Sequence, residues 1–224
     1  MKRDILLCIA VALSIVASYA AYVVVHAKRS DIYFLYVHVP AALICFLAFF
    51  ISLIASILYL WKRRAEYDRI AEVSAILGLV YGAVALITGA IWASVGVEQG
   101  GWGAYWEWDP KQTTMLILWI AYMGYISIKI SIGSIEKKRV IGAVYNILAF
   151  SIIPLCYLSA SLPGSHHIAA KEFSPTYSII VTLLLNFIAA IILFIYLLMV
   201  MSTVSSLEDN VNALMYESGG ARYD

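Results

Sequence analysis

Six stretches of apolar residues, each long enough to cross a lipid bilayer as a helix, constrain this chain more than any other feature. A spanning helix needs about 20 apolar residues at about 1.5 Å of rise each. Residues 5–25, 32–61, 73–95, 113–130, 140–162 and 177–201 meet that requirement. A soluble core could not shelter them: 63% of the 224 residues are hydrophobic and 13% charged, against about 45–50% and about 25% in soluble domains. The expected fold is therefore all-α, a polytopic membrane protein with six transmembrane helices. Residues 1–201 form one membrane domain, followed by a polar, flexible tail at 202–224. The first run is too long for a signal peptide, so a retained helix is expected.

Orientation follows from Lys and Arg, which concentrate on the cytoplasmic side of short connections. Lys2, Arg3, Lys62, Arg63, Arg64, Arg69, Lys129, Lys137, Lys138, Arg139 and Arg222 fall on one side, eleven of the fifteen. Lys28, Arg29, Lys111 and Lys171 fall on the other. Both termini and the tail are thus expected in the cytoplasm, with segments 96–112 and 163–176 outside. A net charge of +1 gives no basic surface for nucleic acid. Cys8, Cys45 and Cys156 form no CxxC pair, so neither a thiol-redox motif nor a covalent haem-attachment site is present. No GxxxxGK[ST] stretch occurs, so a nucleotide-driven step would belong to a partner.

The second run is too long for a simple span. Its 30 residues would make a helix of about 45 Å, against about 30 Å of hydrocarbon. Either residues 33–40 sit at the outer interface or the helix is strongly tilted. In the third run, Gly78 and Gly82 make a small-xxx-small pair that favours close helix packing within the protein.

The outer loop 96–112 reads GVEQGGWGAYWEWDPKQ and holds three of the six tryptophans. As a helix it would place Trp102, Tyr105, Trp106 and Asp109 on one face, with Trp108 pointing elsewhere. Such an aromatic platform suits a flat, partly apolar ligand; a headgroup-level aromatic belt is the plainer alternative. Asp109, Pro110 and Gln112 have the pattern of a helix start, and Glu107 is expected to be solvated or paired with Lys111. His38 and the pair His166-His167 lie at the same outer level as this loop. Imidazoles from two segments flanking an aromatic platform suit axial ligation of haem iron. Lys111, Arg29 and Lys171 are candidate contacts for the anionic propionates. An electron-transfer cytochrome b is disfavoured, because its histidines normally lie within spans. A transporter is also disfavoured, because few charges lie inside the spans, Lys129 being the main exception.

WGAYWEWD at 102–109 resembles the WWD signature of haem-handling proteins in cytochrome c biogenesis, and YVHVPAA at 36–42 resembles the first external histidine segment of the CcmC branch. Six spans in a short chain also match CcmC. The resemblance implies haem b held at the periplasmic face of the inner membrane, on the WWD loop, between two external histidines. His38 matches the first ligand. His167 matches the second by position, with the adjacent His166 as the alternative, in a stretch that lacks the family's usual tryptophan. The resemblance implies delivery to the periplasmic haem chaperone CcmE, alongside CcmA, CcmB and CcmD subunits of an ABC-type complex, and no enzyme activity of its own. The YWEWDP form of the loop reads more like the CcsA type, so the core of a CcsA-type haem lyase is the alternative.

Overall fold

The computed structural model describes residues 2–28, 32–95, 101–167 and 176–217; among these the chain is helical, with no strand. Seven α-helices follow in order: α1 (Lys2–Lys28), α2 (Leu35–Lys62), α3 (Ala65–Ser94), α4 (Pro110–Ser131), α5 (Ile135–Phe150), α6 (Ile152–Leu158) and α7 (Tyr177–Glu217). Short 3-10 turns precede α2 at Ile32–Phe34 and extend α6 at Ser159–Ser161. With α5, α6 and that turn taken as one rod, six helices are long and apolar enough to cross a membrane. The expected all-α polytopic architecture is what the chain forms. The break within the fifth rod has a local cause. Pro154 has no N–H for the carbonyl four residues back, and its ring crowds that turn. The Ser151 N–H instead meets the Leu148 carbonyl at 3.1 Å.

The α2–α3 hairpin is the centre of the bundle. Arg63, in the left-handed region at φ 55, ends α2, and its N–H closes on the Tyr59 carbonyl at 2.8 Å. On one side of the hairpin, Ile44, Ala48, Val73 and Leu77 pack with Phe194 of α7. On the other, Cys45, Phe49, Ala75 and Leu79 pack with Leu118, Tyr122 and Tyr125 of α4, Ala149 of α5 and Cys156 of α6. Helix α1 lies against α7. Ala10, Ala17 and Ala21 are buried along one stripe of α1, small enough for close approach, and Asn186 of α7 donates to the Ala17 carbonyl at 3.3 Å.

Gly78 and Gly82 serve this internal packing. A methyl group on Gly78 would fall on the Phe49 ring, and one on Gly82 would lie 3.0 Å from Trp119 Cδ1 and 3.1 Å from Cys45 Sγ. Gly78→Ala is expected to overpack the seam at a cost of about 1–3 kcal/mol. Thermal unfolding in detergent measures this; an unchanged midpoint would show that Phe49 moves aside freely.

One expectation changes. Residues 202–217 are not a flexible tail, because α7 runs through them to Glu217. No glycine or proline interrupts the sequence before Gly219, and Asp209 pairs with Arg69 of α3 at 2.8 Å. Residues 35–40, expected at the outer interface or in a tilted helix, form the opening turns of α2, so His38 stands on α2 itself. The interior cation Lys129 is fully compensated: its Nζ lies 2.6 Å from Asp68 and 3.1 Å from Glu72, both on α3. That cluster sits at the end of the bundle away from the loop described next.

Candidate functional site

The start of α2, the end of α3, the start of α4 and the chain leaving α6 all reach the same end of the bundle. Residues 101–109 connect there without regular helix, so the single aromatic face expected of a helical loop does not form. The loop instead folds back onto α3. The N–H groups of Trp102 and Gly103 donate to the Ala93 carbonyl at 2.8 and 3.1 Å, and Gly103 also donates to Val95 at 2.9 Å. Gly101 lies against the carbonyls of Trp92 and Val95 with no room for a Cβ, and Gly103 adopts φ +83. Gln112, expected only as part of a helix start, clamps the loop's far end. Its Nε2 donates to the Tyr105 carbonyl at 3.3 Å, and its Oε1 accepts from the Glu107 N–H at 3.4 Å.

Asp109 joins the loop to α4 and to both adjacent histidines. As N-cap its Oδ1 accepts from the N–H groups of Lys111 and Gln112, at 2.8 and 3.1 Å. Its Oδ2 accepts from the backbone N–H of His166 at 2.6 Å. The imidazole Nδ1 of His167 lies 2.9 Å from Oδ1. The Asp109 side chain is 0% exposed. Burial raises its pKa, but the N–H of His166, the His167 ring and the cap N–H of Gln112 together hold the carboxyl below its usual range. It is therefore an anion, and the neutral His167 ring gives it the Nδ1 proton.

The two candidate second histidines differ clearly. The His167 side chain is 21% exposed, whereas that of His166 is 52% exposed, its Nε2 3.6 Å from Glu107. Glu107 thus faces His166, not Lys111. Burial, with the fields of Lys111 and His38, holds His167 below the ordinary imidazole range, against the opposing pull of Asp109. His38 approaches from α2, and its Nδ1 lies 2.9 Å from the Ala85 carbonyl of α3. Gly89 makes room for that ring: a Cβ there would lie 2.8 Å from His38 Cε1. Both His38 and His167 therefore commit Nδ1 to an acceptor and, among the described residues, leave Nε2 without a hydrogen-bond partner, as metal-ligating histidines do.

The aromatic residues divide into two groups. The Trp102 ring lies 5.4 Å from His166 and 5.1 Å from His167, centroid to centroid. Trp92 stands behind it at 6.5 Å, its indole N–H buried and without a partner among the described residues. Trp106 and Trp108 form a separate edge-to-face pair at 5.8 Å. Tyr105 and Trp108 are 65% and 72% exposed. Trp108 holds φ 55, a conformation costing on the order of 1–3 kcal/mol for a bulky residue. Such strain is kept where the surrounding structure imposes it, as the two clamps of this loop do. Arg29 and Lys171 lie outside the described residues.

Sequence reasoning passed over Ala85, Gly89 and Trp92. Gly89 had a signal: it follows Gly78 by eleven residues, three helical turns along the same stripe. Among the described residues no cluster of three or more His, Cys, Asp or Glu could cage a bare ion. Iron held by these imidazoles would carry its other donors with it, as it does in a porphyrin. Flat aromatic rings beside two free Nε2 atoms fit that group.

The family described as heme exporter protein C matches residues 2–217. Heme exporter protein C of Rhodobacter capsulatus is 40% identical over 94 residues, 42% of this chain and 37% of that protein. The Paracoccus denitrificans protein of the same description is 39% identical over 94 residues, with the same coverage of 42% and 37%. The cytochrome c biogenesis protein CcsA of Prochlorococcus marinus is 36% identical over 99 residues, 44% of this chain and 29% of that protein. The aligned stretches span 37% of the two exporter proteins and 29% of the CcsA protein.

Proposed function

Because this chain belongs to the heme exporter protein C family, we propose that it binds haem b at the outer face of the cytoplasmic membrane and delivers it for cytochrome c maturation. Both termini lie in the cytoplasm in this reading, and the 101–109 loop faces the periplasm. His38 and His167 ligate the iron through Nε2, and Trp102 lies along the porphyrin. The Trp106–Trp108 pair forms the outer part of the platform with Tyr105, and Lys111 neutralises a propionate. The recipient is a CcmE-like periplasmic chaperone, with CcmA-, CcmB- and CcmD-like subunits as partners. The protein supplies binding and presentation; a covalent bond to haem forms on the partner.

One observation carries this reading. A buried, ionised Asp109 ties the tryptophan loop, the α4 N-terminus and the His167 ring into a single unit. It gives the Asp that ends the tryptophan motif a role, and it supports the reading of His167, rather than the more exposed His166, as the ligand. A second reading, the core of a haem lyase, rests on the likeness to CcsA and the EWDP form of the loop. Haem-loaded protein incubated separately with a CcmE-like chaperone and with an apocytochrome c separates the two readings. Covalent haem staining is expected on the chaperone; staining on the apocytochrome alone would favour the lyase.

The site also implies a pH dependence. A proton on His167 Nε2 competes with iron. Since the imidazole is held below its ordinary range, binding should be intact above about pH 6.5 and fall as the pH drops further. Haem retention measured by absorbance from pH 8 to pH 5 checks this. Retention that declines toward high pH would contradict it.

A further inference from the structure

The two candidate iron ligands have different backing, and the difference has a consequence for release. The Nδ1 proton of His167 goes to a fully buried carboxylate, Asp109, at 2.9 Å. That of His38 goes to a neutral carbonyl, Ala85, at the same 2.9 Å, and the Thr88 hydroxyl also approaches this carbonyl, at 3.4 Å. A carboxylate partner draws on the Nδ1 proton and raises the basicity of Nε2, which strengthens the bond to a metal; a neutral carbonyl does so much less. The same carboxylate also holds the main chain of His166 at 2.6 Å, so ring and backbone are fixed by one group. The His38 ring is positioned by that neutral carbonyl and by contact, pressed over Gly89.

We propose that the two histidines are unequal ligands: His167 retains the iron, and His38 gives way when haem passes on. This rests on the haem-binding reading above. Loss of the iron–His38 bond returns the electron pair to His38 Nε2. The iron keeps its oxidation state, and a donor atom with its own lone pair, from the acceptor, takes the vacated position. Asp109 and Gly89 are positioning residues in this scheme; neither touches the iron.

Carbon monoxide tests the ranking, because on reduced haem it replaces the weaker axial ligand. The haem-loaded, detergent-purified protein is reduced, exposed to CO and compared with His38→Ala and His167→Ala by resonance Raman of the Fe–CO stretch. The wild-type adduct is expected to match His38→Ala. A match to His167→Ala, a mixture of both, or no adduct at all when both variants form one would overturn the ranking. If either single variant remains six-coordinate and low-spin before CO is added, the two-ligand reading itself fails, and the ranking falls with it. Two milder variants give the same answer should the alanine forms not accumulate. Gly89→Ala is expected to speed CO entry several-fold without altering the Fe–CO stretch. Asp109→Asn is expected to convert the single adduct into a mixture. The reverse pattern, a mixture from Gly89→Ala and a single adduct from Asp109→Asn, overturns the proposal.

Discussion

The double variant His38→Ala/His167→Ala is expected to reach the membrane in normal amount and to purify without a haem Soret band. Both rings occupy seats made by other parts of the fold: His38 against Ala85 and Gly89 of α3, His167 against Asp109 and Trp102. Neither is a core residue, so the α2–α3 hairpin and its two apolar clusters survive their loss. Axial coordination supplies the directional part of haem affinity; the remaining aromatic contacts are not metal-specific. Each single variant should keep a weakened, five-coordinate spectrum. His166→Ala should leave the band in place, since its ring is the more exposed of the pair and faces Glu107. Full retention of the band in the double variant would remove both assignments together.

Asp109→Ala is the second large effect expected. The substitution removes an N-cap, which costs about 1 kcal/mol, and leaves the N–H of His166 without its acceptor, which costs about 1–3 kcal/mol more. It also frees the His167 ring, and loss of an outer-shell partner of this kind typically lowers metal affinity by about 10- to 100-fold. Asp109→Asn separates these contributions. Asn keeps a capping oxygen but presents its NH2 to one of the N–H groups that the second oxygen of Asp109 accepts from, so thermal stability should fall less than in Asp109→Ala while haem retention still drops. Thermal unfolding and haem-dissociation rates, measured on both variants, read the two parts. If Asn behaves as wild type in haem retention, the charge on Asp109 plays no part in holding His167. The sign of the acid response agrees with this picture. Asp109 is held below its usual range, so the stability it contributes is complete above the normal carboxylate range and is lost only as the pH falls through its lowered value.

Much of the fold was legible in the sequence because lipid imposes a length rule. Six apolar runs of about 20 residues or more leave few alternatives to six helices, and the structure has them. Helix ends were less legible. The polar stretch at 65–72 opens α3, and 202–217 continues α7, because helix formation does not stop where apolarity does. The tryptophan loop illustrates a different limit. Helical periodicity put Trp102, Tyr105, Trp106 and Asp109 on one face, but two glycines packed on the end of α3 and the Gln112 clamp gave the loop an irregular path. Local pattern could not foresee bonds made to residues in another helix.

That the tryptophan loop and the histidines fall at one end of the bundle could be read from the chain, but the bonds between them could not. The placement of His38, Trp102, Asp109 and His167 at one end of the bundle follows from counting residues along long apolar helices, since rise per residue is fixed. The choice between His166 and His167 depends on which ring turns toward a buried carboxylate, and the room for His38 depends on a glycine in a different helix. Those are contacts between segments far apart in sequence. Only packing the helices against one another brings them within hydrogen-bonding distance.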